Sequence, residues 1–136
     1  MKILLDENNY IISYVIIGDV QNGIEINIDE DIFYKPCQFY KYENNSIVFD
    51  DNKYQKYLDK QNINKEISEL QKEINEINVW FEWYDGQVKQ YERCVRIGEE
   101  FDLDMSELDS KAKENQLKIR NLREQIKEKE VLIQDE

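Results

Sequence analysis

Along the first third of the chain, apolar residues come in short runs separated by turn residues. "KILL" (2–5) is followed by "DENN" (6–9), "YIISYVII" (10–17), "GDVQNG" (18–23) and "IEINID" (24–29), where Ile24, Ile26 and Ile28 alternate with polar neighbours. Period-two alternation between clusters of Asn, Gly and Asp predicts strands joined by hairpins. "QFYKY" (38–42) and "SIVF" (46–49), on either side of "ENN", predict a further hairpin. Pro36 falls in the link "EDIFYKPC", where it removes no ladder hydrogen bond. Together these runs predict a small antiparallel β-meander over residues 1–56. A sheet this thin needs a helix or another subunit over one face.

From about residue 57 the period changes. Ile63, Ile67, Leu70, Ile74, Ile77, Phe81, Tyr84, Val88, Tyr91 and Val95 follow at alternating steps of four and three. That is a heptad seam sustained over more than four repeats, and it predicts one helix over 57–97. Gly86 falls on the outer side without shifting the phase, and Gly98 is placed to end the helix in a left-handed cap. "SELD" (106–109) reads as a helix start with Ser106 as N-cap and Asp109 three residues on. A second seam follows through Leu108, Ala112, Asn115, Ile119, Leu122, Ile126 and Ile133, with Asn115 and Lys129 as polar seam residues. The expected fold is α+β: a β domain over 1–56, then a coiled-coil-like antiparallel helical hairpin over 57–136, with helices at 57–97 and 106–134.

"NVWFEWYDGQV" (78–88) gathers both tryptophans at one place. Phe81 and Tyr84 belong to the seam. Val79, Trp80 and Trp83 do not, so this segment is apolar over more than the stripe that one partner helix can cover. The seam residues Ile67, Leu70, Ile74, Ile77, Phe81, Tyr84, Val88, Tyr91, Val95, Ile119, Leu122 and Ile126 are therefore candidates for self-association. Val79, Trp80 and Trp83 form a candidate partner surface, to be covered by the β domain, by sister helices in an oligomer or by another protein, since Trp and Tyr are common interface anchors.

Composition narrows the function classes. Thirty acidic residues against 18 basic ones give a formal net charge of −12. No basic face is apparent, which argues against nucleic-acid binding; acidity serves first for solubility. Cys37 and Cys94 stand alone, as in a chain kept in a reducing compartment. The apolar run in "MKILLDENN" is too short for a signal peptide, and no run approaches the roughly 20 residues that span a bilayer. A soluble chain made in the cytosol is expected, with no membrane partner.

Candidate chemistry is sparse. The chain has no histidine, which removes Ser-His-Asp and Cys-His nucleophiles and the usual catalytic zinc sites. Its four glycines are scattered, so no phosphate loop forms. "DLDMSELDSKAK" opens like a calcium loop but has Glu107 where the turn wants Gly and Lys113 where the bidentate Glu belongs. The carboxylate pairs Asp50–Asp51 and Glu30–Asp31 sit beside predicted turns. No catalytic residue, metal or cofactor is expected.

"MKILLDENNYIISYVIIGDVQNGIEI" and "FYKPCQFYKYENNSIVFDDNKYQKYLDKQ" together cover about residues 1–60. They resemble the small proteins encoded beside baseplate and tail-fibre genes in phages and prophages of low-GC Gram-positive bacteria. The resemblance implies a noncatalytic virion structural protein, located in the tail after assembly in the host cytoplasm. It also implies a homotrimer that contacts other tail, baseplate or fibre proteins. Two other functions compete: a tail-fibre assembly chaperone, and an acidic inhibitor of a host defence nuclease. The inhibitor reading is opposed by Lys65, Lys72, Lys89, Arg93 and Arg96, which interrupt the helical acids.

Overall fold

A computed structural model describes residues 1–134. They form an α+β fold of two compact units, Met1–Asp59 and Lys60 onward. Residues 135–136, assigned to the hairpin from sequence, lie outside the described range.

In the first unit, β1 (Lys2–Leu5), β2 (Ile11–Val15) and β3 (Ile24–Glu25) form an antiparallel sheet in the order β2-β1-β3. Strands β4 (Tyr40–Glu43) and β5 (Ser46–Phe49) form a second, two-stranded sheet. The strands are antiparallel as expected, but their order is not that of a simple meander. Strand β3 returns to the free side of β1, because the second sheet approaches β2: Tyr10 bridges to Lys41, and the Tyr42 N–H donates to the Asn9 carbonyl at 2.9 Å. Strand pairing is also shorter than the apolar runs, since Ile16 and Ile17 lie beyond β2 and only Ile24–Glu25 of "IEINID" pairs.

The turns follow from their residues. Between β1 and β2 the Asp6 carboxylate accepts the N–H groups of Asn8 (2.8 Å) and Tyr10 (2.9 Å), and Asn9 takes φ 69°. Between β4 and β5, Asn44 and Asn45 adopt φ 51° and 64°; two positive values in a two-residue loop suit a type I′ turn, whose twist matches the strands. Pro36 leads into a short 3₁₀ turn at Cys37–Phe39, within the link between the sheets.

The core of this unit is Ile3, Ile11, Ile26 and Tyr40, bordered by Tyr14, Phe33 and Phe49. Phe33 stacks on Tyr14 at 4.8 Å and meets Tyr40 edge-on at 5.0 Å. The buried Tyr40 hydroxyl accepts the Tyr34 N–H at 2.9 Å, which satisfies its polar end. Phe39 is buried under Tyr54 and Tyr57, at 5.1 and 5.0 Å. These two tyrosines belong to the first turns of α1 (Asp51–Ile97), so the cover that the thin sheets needed is supplied by the start of the helix. The helix thus begins at Asp51 and not near residue 57, because Asp50 caps it by accepting the Lys53 N–H at 3.0 Å.

The second unit is a helical hairpin of α1 and α2 (Met105–Gln134). Gly98, at φ 74°, ends α1, and the Glu99 N–H returns to the Cys94 carbonyl at 2.9 Å, the six-to-one bond of a Schellman motif. The predicted cap of α2 is corrected. Asp104 accepts the Ser106 N–H at 2.9 Å, so Ser106 lies inside the first turn. Asp109 accepts the Tyr84 hydroxyl at 2.6 Å instead of closing a capping box. Near the other end Lys129 reaches Glu66 at 2.7 Å. These two cross-helix contacts, one near the loop and one far from it, fix the antiparallel arrangement.

Candidate interaction surface

The heptad seam of α1 is the face that α2 covers. Ile74 and Ile119 are buried, and Ile67, Leu70, Ile77, Phe81, Tyr84, Val88, Leu122 and Ile126 are half-buried. Seam residues at steps of three and four stay on one side of a 3.6-residue helix, and that side is the protected one here. At the loop end the protection fails: Tyr91 is 40% exposed and Val95 62%. Opposite them the chain is already in the loop, where Phe101 packs edge-on against Tyr91, at 5.5 Å. Asn115 and Lys129, the polar seam positions, differ in burial. Asn115 is buried, whereas Lys129 is half-buried and turns its ammonium to Glu66.

The aromatic segment divides between two faces. Trp80 lies half-buried, stacked on Tyr84 at 5.2 Å and 13° and edge-on to Phe81 at 5.2 Å. It shields the flank of the seam, and Tyr84 in turn is fixed by its bond to Asp109. That carboxylate raises the pKa of the Tyr84 phenol, because a phenolate would lose the hydrogen bond and face a like charge. Trp83 and Val79 point away from the seam, 46% and 65% exposed. Four residues apart, they form an apolar outer face, continued by Gly86 one turn on. Of the three residues expected at a partner surface, Val79 and Trp83 are therefore open, and Trp80 is engaged within its own helix.

A polar cluster in the first unit escaped the sequence reading. The Tyr10 hydroxyl donates to Asp50 at 2.6 Å, and the Lys53 ammonium lies 3.6 Å from the centre of the Tyr10 ring. The hydrogen bond from Tyr10, the Lys53 N–H and nearby lysine charges lower the Asp50 pKa; the same bond raises that of Tyr10. Asp50 is thus held ionised as a helix cap that ties α1 to the β1–β2 turn. The signal available in sequence was an Asp directly after a strand and three residues before a helical Lys. Burial raises the pKa of the Cys37 thiol, which makes it a weak nucleophile.

These features define a β unit whose aromatic residues close its own core, and a helical hairpin with an apolar outer face. A family model described as "Protein of unknown function (DUF2977)" matches residues 1–57. The match covers nearly all of the first unit and leaves the hairpin, with its exposed face, outside. Comparison with curated proteins and with solved structures returned no match. Among the described residues no helix is long and apolar enough to cross a membrane.

Proposed function

We propose that this chain is a noncatalytic interaction protein of a phage or prophage tail or baseplate. In this reading it assembles in the host cytoplasm and acts through protein–protein contacts. The observation that carries the interaction part is the outer face of α1. The seam is already occupied by α2, yet Val79 and Trp83 stand open on the opposite side. Leaving an indole and a valine in water gives up the stabilisation that their burial would bring, on the order of 25 cal/mol per Å² of apolar surface. A partner surface recovers it. The tail context comes from the resemblance of residues 1–60 to proteins encoded beside baseplate and tail-fibre genes, and it extends to other tail or fibre proteins as partners.

The test is mass spectrometry of purified particles from a phage that expresses this chain, set against the matching lysate. A stoichiometric presence in particles supports a virion part. Presence only in the lysate replaces that role with an assembly chaperone. Self-association is tested separately by solution mass. The resemblance implies three copies, and the outer face of α1 gives an independent reason for two.

A further inference from the structure

We propose that α1 carries a second heptad seam, which pairs antiparallel with the same face of a second copy and seats Trp83 of each copy over Gly86 of the other. The inference rests on the self-association part of the reading above and specifies its geometry.

Glu76, Val79, Trp83, Gly86, Gln90 and Arg93 follow at alternating steps of three and four. They repeat the spacing of the covered seam two residues later, on the side turned away from α2. All are exposed except Gly86, which is half-exposed. The two ends of the series carry opposite charges, Glu76 and Arg93. A two-fold axis passing between Trp83 and Gly86 pairs Trp83 with Gly86, Val79 with Gln90 and Glu76 with Arg93. Acid therefore meets base at both ends of a centre that holds Val79, Trp83, Gly86 and Gln90. A parallel alignment, in a dimer or a trimer, would instead set Glu76 against Glu76 and Arg93 against Arg93, which is destabilising. Among the described residues neither Glu76 nor Arg93 is in an ion pair within the chain.

Gly86 supplies the second argument. A glycine inside a helix costs roughly 1 kcal/mol relative to alanine. Nothing among the described residues requires it: its φ is not positive, and a Cβ built there meets no atom within 4 Å. The hairpin would accept alanine. What a missing Cβ provides is a notch in the outer face, and the two-fold arrangement puts an exposed indole there. Closing that notch with a longer side chain should keep the helix and lose the contact.

The experiment is sedimentation equilibrium on the full chain across the micromolar range, with four variants. Glu76→Arg and Arg93→Glu alone should each weaken association by about tenfold, since each sets like charges against each other twice per dimer. The double variant Glu76→Arg with Arg93→Glu should recover to within about threefold of wild type, a rescue that only an antiparallel pairing gives. Gly86→Gln should abolish association while far-UV circular dichroism stays helical. A wild-type mass of three copies overturns this geometry and leaves self-association standing. So does association that Gly86→Gln and the charge reversals leave unchanged, because the contact then lies on another face. A wild-type chain that stays monomeric at high micromolar concentration overturns both the geometry and self-association.

Discussion

Asp50 links three pieces of the first unit: it caps α1, accepts the Tyr10 hydroxyl and lies beside Lys53. Its replacement by Ala should cost about 1–2 kcal/mol, the cost of a lost cap plus one hydrogen bond. The linkage to pH has two ends. The folded Asp50 pKa lies below its unfolded value of about 3.9, so its contribution is present above that value and is lost as pH falls through the folded pKa. The folded Tyr10 pKa lies above its unfolded value of about 10, so its contribution is present below that value and is lost as pH rises through the folded pKa. Urea denaturation of wild type and Asp50→Ala from pH 3 to 11, roughly the span of both groups, should therefore show the largest difference at neutral pH, a smaller one at the alkaline end, where the cap remains, and a decline toward the acid end. A difference that stays constant from neutral pH to the alkaline end would mean that the Tyr10–Asp50 pair contributes nothing to stability.

At the scale of elements, the two helical glycines should respond to alanine with opposite sign. Gly86→Ala, measured in dilute protein, should stabilise the hairpin by up to about 1 kcal/mol, because the helix gains propensity and the Cβ meets open space. Gly98→Ala should destabilise by about 1–2 kcal/mol, because φ 74° is left-handed and an L side chain is strained there. Equal shifts in melting temperature from both would refute the cap. The seam itself should be uneven. Ile74→Ala should cost about 2–5 kcal/mol, while Val95→Ala, at the open end, should stay within about 0.5 kcal/mol. The interior of that seam was legible because one repeat runs through four heptads and a loop of seven residues allows little but a hairpin. Its fraying at Tyr91 and Val95 was not, because the repeat continues past the last residue that α2 can reach. The early start of α1 was hidden for a related reason. Tyr54 and Tyr57 follow helical spacing but are out of phase with the seam, since they pack on Phe39 and not on α2. The strand order β2-β1-β3 was also not legible, because alternation marks strands without naming their neighbours.

For the molecule as a whole, the sequence supplies a convenient pair of probes: both tryptophans lie in the hairpin unit, and the first unit has none. Their settings differ. Trp80 is half-buried against Tyr84 and Phe81 within its own helix, whereas Trp83 is 46% exposed on the outer face. Replacing each by Phe leaves a chain that reports on the other. The Trp83→Phe protein, which retains Trp80, should emit to the blue and resist iodide to the same degree at every concentration, because its shielding is internal. The Trp80→Phe protein, which retains Trp83, should be readily quenched when dilute and become protected as the chain assembles. The midpoint of that protection should coincide with the midpoint of the rise in mass, since mass action drives both. If Trp83 stays fully quenchable in the assembled protein, the copies meet elsewhere and the indole remains in water. The outer face of α1 would then be open to a different protein, and the search for its partner would move beyond the chain itself.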